Sequence, residues 1–531
     1  MEDMTMRSKE PDGISIGLFA MLANPQKPPR ITLMLQLFNT LTKSKEEFKS
    51  KEEGKVSVYT CGPTVYGRPH IGNYSSFLMA DLLCRWLEVR GYKVSHAKNI
   101  TDVGHLTADD IADAGGEDKV EKEARKNKSG EITKDDVLAI ARKYEAEFLE
   151  DEKALNMREP EFRPRATETI EEMVNMIGDL VENGFAYETN DGVYFSVERF
   201  SDYGKLSGNT LTNLDKRQEG VRVELSEHKK HSADFALWKK KVGENANHVL
   251  CWDSPWGEGF PGWHIECSAM SLKHLLKDST HYQLQTTHWL VDIHTGGEDN
   301  IFPHHECEIA QTEAATGSKF VGYWLHKRRV NFGDEKMSKS LGNVLSLSDI
   351  EAEGFSPLDL RYFFLSSHYR SHTQFTWKGM EDAKKARSKI AAWIEGMDSL
   401  ASASEIPGFE DKLSGLIKDF EDAIDDDLNT PKAIASVFEV ITLCKSGVPD
   451  SVTGDIKKFA ETLDKTFACF EPEKEIEIPE EIKKLVEERE DVRASGDYAK
   501  SDEIRDELKK RGYMVEDLPE GPRIRGLGEV S

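Results

Sequence analysis

The chain has 531 residues and a mass of 60.0 kDa, which at about 150 residues per domain predicts roughly three to four domains. Hydrophobic residues make up 38%, charged residues 31%, and mean hydropathy is -0.56, a balance that excludes a fibre, a membrane protein and a mostly disordered chain. Lys and Arg number 70 against 96 Asp and Glu, and the formal net charge of -26 excludes a uniformly basic nucleic-acid coat, leaving local basic patches for any nucleic-acid contact.

The first 33 residues hold a short apolar run, Ile14 to Ala23, preceded by Glu2, Asp3, Glu10 and Asp12 and followed by Asn24-Pro25. A signal peptide wants a basic start and a transit peptide avoids acids. The segment therefore reads as a loose, disordered extension, or as a start placed too early with Met34 as the true one. No stretch reaches the ~18 apolar residues of a membrane span, so no membrane partner is expected.

Val56 to Tyr59 reads as a short buried strand that ends in the turn Cys61-Gly62-Pro63. A helix pattern follows through Leu78, Leu82, Leu83 and Trp86 and stops at Gly91, and a second strand runs from Val94 to Ile100. That spacing is a βαβ crossover. Asp109 to Leu149 is charged and helical in period, with Gly115-Gly116 as punctuation. A helix over Ala166 to Asn183 leads to two strand-like runs, 186–189 and 192–195, split by a hairpin turn at Asn190-Asp191. Beyond about Asp359 the pattern is helical almost without break: 383–401, 409–425, 431–444 and 456–468 predict a bundle. Glu471 to Glu480, with Pro472 and Pro479, reads as a linker, and Glu481 to Arg511 as one more helix pair. The expected architecture is an α/β front half carrying an insertion, then an all-α back half.

His70-Ile71-Gly72-Asn73 lies directly after the first strand and opens the next helix. A helix N-terminus offers unpaired N–H groups and partial positive charge to a phosphate, and Gly72 allows close approach of the backbone. Far downstream stands Lys336-Met337-Ser338-Lys339-Ser340, whose two lysines suit the same polyphosphate from the other side. Either motif alone is ordinary surface; together, in this order, they carry weight.

With these motifs the chain resembles the class I aminoacyl-tRNA synthetases, and among them the cysteinyl-tRNA synthetases. The resemblance runs through Phe38-Asn39-Thr40-Leu41, Tyr59-Thr60-Cys61-Gly62-Pro63-Thr64-Val65-Tyr66, Pro69 to Asn73 and Asn99-Ile100-Thr101-Asp102. It continues at Phe235 to Lys239, Pro261 to Met270, Phe302-Pro303-His304-His305-Glu306 and Asp427-Leu428-Asn429-Thr430-Pro431. It spans about Leu35 to Arg525. Many class I enzymes close the phosphate motif with a second His; here Asn73 keeps a donor but carries no charge.

The resemblance implies a Rossmann-like catalytic domain in two halves, 34–150 and 231–345, around a connective insertion at 151–230. A linker and stem-contact region at 346–385, a helical bundle at 386–475 and an anticodon-binding region at 476–531 follow. It implies a two-step reaction: the carboxylate of L-cysteine attacks ATP, with Mg²⁺, to give cysteinyl-adenylate, and tRNA(Cys) then takes the acyl group. His70, Asn73, Lys336 and Lys339 would do the catalytic work on the phosphates. Gly72, Gly297 and Asp299 would complete the ATP site, and Thr101 and Trp263 would line the amino-acid pocket.

Seven cysteines at irregular spacing are no disulfide scaffold and point to the reducing cytosol. Cys84, Cys251, Cys444 and Cys469 read as buried small apolar residues. Cys61 sits where open α/β sheets place ligands, Cys267 follows Trp263-His264-Ile265-Glu266, and His304 and Glu308 are four apart on one helix face. Two thiolates, an imidazole and a carboxylate are an acceptable zinc set, one ion per chain. Cys307 competes, because i,i+3 also shares a face with His304; the family pattern matches Glu308. His305 and Glu306 fit no ligand spacing with Cys61 and are expected to be orienting or core residues. Such a metal would separate cysteine from serine, which differ only by sulfur for oxygen, without an editing site.

Three basic clusters are candidates for the tRNA backbone: His228 to His231, Lys239 to Lys241 and His326 to Arg329. The rivals to a synthetase are a cysteine ligase acting on an amino sugar, which lacks a long anticodon-binding end, a catalytically dead synthetase-like module, and a zinc hydrolase.

Overall fold

The computed structural model describes residues 34–108, 115–213, 229–276, 288–333, 335–336, 344–399, 402–403, 405–445, 447–471, 479–511, 513–518 and 521–526. Residues 1–33 and Lys339 lie outside this set. At its centre is a four-stranded parallel sheet of β1 (Lys55–Thr60), β2 (Lys93–Lys98), β3 (Val291–Gly297) and β4 (Val321–Lys327), in the order β4-β3-β1-β2. Strands β3 and β4 are buried almost throughout, and β1 and β2 over their carboxyl halves, as a parallel sheet covered on both faces requires. Helix α1 (Ile71–Val89) makes the crossover from β1 to β2, burying Leu78, Leu82, Leu83, Trp86 and Leu87. The order reverses between β1 and β3, the switch point outside whose carboxyl ends ligands bind. Thr60 of β1 pairs in register with Thr295 of β3, although 235 residues separate them.

Of the charged stretch expected to be helical from Asp109, residues 109–114 lie outside the described set, and the part that follows opens with a strand. Gly115–Asp118 is a strand paired with Leu106–Ala108, and helices cover Lys119–Lys126 and Lys134–Ala154. Asp118 and Thr133 cap them. The hairpin around Asn190-Asp191 is present, and its strands join Phe235–Lys240 and Gly259–Pro261 in a four-stranded antiparallel sheet that draws on both sides of residue 230.

The back half is helical over Trp377–Glu395, Phe409–Asp425, Thr430–Cys444 and Thr453–Phe467. Strands depart from the all-α expectation, among them the short parallel pair Ser402–Ala403 with Val448–Pro449. Thr373–Phe375 is a strand that returns to pair in parallel with Val330–Phe332, and the terminal helices Glu480–Ala494 and Tyr498–Lys510 are followed by a hairpin, Tyr513–Leu518 with Gly521–Gly526. Ile482, Val486, Ile504, Leu508 and Val515 form a small core of their own there.

Buried Arg361 ties the two halves. It donates to Asp81 of α1, to the carbonyls of Leu155 and Asn156 at 3.0 Å each, and to Phe467 O of the bundle. Among the described residues no helix is long and apolar enough to cross a membrane.

Candidate metal centre and nucleotide cleft

The turn after β1 is dictated by Gly62. A Cβ there would lie 1.7 Å from the carbonyl oxygen of Asn99, so only glycine lets the loop press against the end of β2. The Gly62 N–H donates to Asn99 Oδ1 at 2.7 Å, and Asn99 Nδ2 in turn donates to Thr101 Oγ1 at 3.1 Å. Cys61 is thereby fixed at the carboxyl edge of the sheet.

Two further helices face it. Cys267 comes from α2 (Trp263–Leu275), and Glu308 from α3 (Glu306–Thr316), with His304 in the turn just before α3. Cys61 Sγ and Cys267 Sγ are 3.8 Å apart, Cys61 Sγ and Glu308 Oε1 are 3.8 Å apart, and His304 Nε2 lies 3.2 Å from Glu308 Oε1. Two sulfurs at ~2.3 Å from one tetrahedral zinc stand about 3.8 Å apart, so the donor set fits that ion. All four side chains are buried. Burial pushes the Cys61 thiol and the Glu308 carboxyl well up and holds His304 well below its usual range. A divalent cation among them reverses that for the two acids, making thiolate and carboxylate the stable forms.

Sequence reasoning set His305 aside too quickly. Its Nε2 is 3.3 Å from Cys61 Sγ, and Cys61, His294, His305 and Glu308 form a second group close enough to hold an ion. The turn Ile301–His305 is not a regular helix: Phe302 has extended φ and ψ, which swings both histidines inward rather than one. His294, on β3, went unnoticed in the sequence; its Nε2 lies 3.0 Å from Glu308 Oε2. An inward-facing position on a buried strand was the only signal. Glu306 is a structural residue, accepting from Gly204 N at 2.9 Å and Ser207 N at 2.7 Å. Cys307 faces Tyr203 Oη at 3.8 Å and belongs to neither group.

Cys61, Cys267 and His304 of the centre line a cleft of about 620 Å³, whose lining also includes Thr101, Trp263, His70, Gly72, Asn73, Gly297 and Asp299. Trp263 is stacked between His105 and His304, at 4.1 and 4.2 Å between ring centres, and forms one wall. The N-terminus of α1 forms another. His70 caps it: His70 Nδ1 accepts from Asn73 N at 3.3 Å while Asn73 Oδ1 accepts from His70 N at 3.1 Å. This reciprocal cap puts the His70 ring proton on Nε2 and leaves the Asn73 amide NH₂ as donor. Lys336 stands in the two-residue strand Glu335–Lys336, opposite Asn331.

Among the described residues of the three basic clusters, Lys327, Arg328 and Arg329 line this cleft, and His228 lies outside the described residues. Lys240 pairs with Glu188 at 2.6 Å, Lys241 pairs with Glu258 at 3.2 Å, and Lys230 sits 4.0 Å over the Tyr187 ring. Those contacts stabilise the inserted sheet.

The family model for the class I (C) tRNA synthetase catalytic domain matches residues 47–385, that for the DALR domain 419–470, and that for the cysteinyl-tRNA ligase anticodon binding domain 476–525. The cysteine–tRNA ligase of Lachnoclostridium phytofermentans is 42% identical over 506 residues, covering 92% of this chain and 99% of that one. Those of Thermus thermophilus and Thermococcus onnurineus are 40% and 41% identical, each over 92% of this chain and over 99% and 98% of their own. In fold, the chain is similar to LeuRS of Agrobacterium radiobacter K84, solved as a ternary complex with tRNA and LeuAMS, at a TM-score of 0.56, 12% identity and coverage of 80% and 85%. Sheet, cleft and sequence agree, and the chain belongs to the cysteine–tRNA ligases, within the class I aminoacyl-tRNA synthetases.

Proposed function

We propose that this enzyme activates L-cysteine with ATP to cysteinyl-adenylate and transfers the cysteinyl group to tRNA(Cys), reading the substrate thiol at Cys61, Cys267, His304 and Glu308. The observation that carries the reading is that Cys61, Cys267 and His304 of this donor set line the same cleft as the capped N-terminus of α1. One zinc per chain, bound there, would supply a soft Lewis acid that favours a thiolate over the hydroxyl of serine.

The other steps belong to the chain. Trp263 and Thr101 confine the amino acid so that its carboxylate faces the α-phosphate of ATP, which is accompanied by Mg²⁺. Gly72 and Gly297 let backbone approach the nucleotide, and Asp299 holds the ribose. His70, through Nε2–H, and Asn73, through its amide, donate to the phosphates. Lys336 and Lys339 neutralise the charge that builds on pyrophosphate as it leaves. Binding of this kind accelerates the reaction to the extent that it is stronger in the transition state. The terminal ribose hydroxyl of the tRNA then attacks the cysteinyl carbonyl and AMP departs. All seven cysteines are buried and outside any disulfide, in keeping with a cytoplasmic enzyme.

An amino-sugar acceptor is disfavoured by the match of residues 476–525 to an anticodon binding domain. The test is ATP–pyrophosphate exchange with cysteine and with serine, followed by charging of unfractionated tRNA. Cysteine-specific exchange with charging of one acceptor supports the reading; exchange without any tRNA charging overturns it.

A further inference from the structure

Lys327, Arg328 and Arg329 leave the end of β4 beside Gly297, Glu298 and Asp299, which leave the end of β3, and all six residues line the cleft. Lys327 is buried, and its Nζ is held by Arg328 O at 2.9 Å and Thr373 Oγ1 at 3.1 Å. The two arginines differ. Their side chains are 52% and 44% exposed, and both converge on one carboxylate, that of Glu298, which is only 7% exposed. Arg328 Nη1 lies 2.7 Å from Glu298 Oε2, Arg329 Nε 2.8 Å from Glu298 Oε1, and the Arg329 backbone N–H also donates to Oε1 at 3.0 Å. Arg329 Nε is 3.3 Å from Asp299 Oδ1, and His372 Nδ1 is 3.8 Å from Glu298 Oε1.

One buried carboxylate thus holds two half-exposed guanidiniums side by side at the rim, on a protein whose net charge is -26. A fork held this way is pre-organised for phosphate, and Arg binds phosphate through two parallel hydrogen bonds where Lys offers a point charge. The ATP phosphates have their own donors across the cleft, at His70 and Asn73. The acceptor strand of the tRNA, in contrast, must pass the rim for its terminal ribose to reach the adenylate.

We propose that Arg328 and Arg329, aligned by Glu298, grip the backbone phosphates of the single-stranded 3′ end of tRNA as it enters the cleft. This rests on the reading of the cleft as the site of ligation. Glu298 is the positioning residue: it spaces the two forks and competes with the incoming phosphates, so the grip stays weak enough for product to leave.

The test uses the full-length protein, a tRNA(Cys) transcript and three variants: Arg328→Ala/Arg329→Ala, Arg328→Lys/Arg329→Lys and Glu298→Gln. Direct binding of fluorescent transcript is measured across a KCl series, alongside pyrophosphate exchange without tRNA. The double alanine variant should weaken tRNA binding about tenfold or more, and should flatten the slope of log affinity against log salt by about 1.4, from ~0.7 per single-strand phosphate contact. Its KM for ATP in exchange should stay essentially unchanged. The double lysine variant should restore the slope but only part of the affinity, and Glu298→Gln should bind tRNA more tightly. A rise in KM for ATP with unchanged tRNA binding would assign the pair to the nucleotide and overturn the proposal; an unchanged salt slope would overturn it as well. Absence of exchange in the unaltered enzyme would instead sink the ligase reading, while the binding series would still decide the role of the arginines.

Discussion

The backbone N–H of Ile71, the first residue of α1, donates to the carbonyl of Leu345 at 2.9 Å. The chain just beyond the lysine motif is therefore fastened to the helix that carries the histidine motif. Arg68 reinforces the join, donating to Asp151 Oδ2 at 3.0 Å through Nε and to Ser348 Oγ at 2.9 Å through Nη1. Arg68→Ala should loosen the register of the two phosphate motifs without touching the metal centre. The expected outcome is a kcat for pyrophosphate exchange reduced about tenfold, roughly 1.4 kcal/mol of transition-state stabilisation, with zinc content unchanged. An unaltered kcat would show that the two motifs keep their register without this bridge.

The two overlapping donor groups make a sharper prediction for the metal. Cys267→Ala and His304→Ala should strip the protein of zinc, measured as ions per chain, and raise the cysteine requirement while serine gains ground. His305→Ala should retain the ion, because the group with two thiolates and one imidazole holds a soft cation better than the group with one thiolate and two imidazoles. Cys307→Asn is the control and should be silent, since its sulfur faces Tyr203. Zinc lost with His305 and kept with His304 would move the ion to the neighbouring group.

Truncation after Phe470 should separate the two steps. The terminal helices and hairpin bury a core of their own, so their removal leaves the cleft and the bundle core in place. Cysteine activation should persist while tRNA charging falls and responds less to the anticodon, whose bases are read by stacking and edge hydrogen bonds. Circular dichroism must show the truncated chain folded. Anticodon-dependent charging at full rate would place tRNA reading elsewhere.

Arg361 predicts an acid limb to stability. Burial of Asp81 would by itself raise its pKa, but Arg361, Arg85 and the Arg158 N–H bring it down to about 2. A carboxylate depressed in the folded state contributes stability above its unfolded pKa of ~3.9, and that contribution is lost as pH falls toward about 2. Arg361→Met should cost about 3 kcal/mol near neutral pH, because it leaves the Asp81 charge buried with one partner fewer. It should also flatten the decline between pH ~4 and ~2 in urea midpoints. A variant with the original acid limb would shift the effect to Arg85.

Much of this was legible in the sequence because local patterns set it. The β1–turn–α1–β2 unit, the helix over Phe409–Asp425 and the closeness of His304 and Glu308 all follow from short-range spacing, although His304 stands in the turn before α3 rather than on its face. What was not legible depends on contacts across the chain. His294 is a ligand candidate only because β3 lies against β1, and His305 only because extended Phe302 interrupts the turn before α3. Thr373–Phe375 reads as a helix linker until Val330–Phe332 is there to pair with it. Lys240 looks like an RNA contact until Glu188 is placed beside it.

The distance along the chain between Cys61 and Glu308, 247 residues, has a consequence for biogenesis. At ~5–20 residues per second, a ribosome that has finished Cys61 needs roughly 12–50 s more before the last partner of that cysteine is made. For most of that interval β3 and α2 are still unmade, so the thiol lacks Cys267, His304 and Glu308, the partners with which it would hold a metal. The nascent enzyme therefore passes through a window in which its most consequential sulfur is open to oxidation and to stray metals, and reducing conditions around the ribosome bear on the yield of active protein.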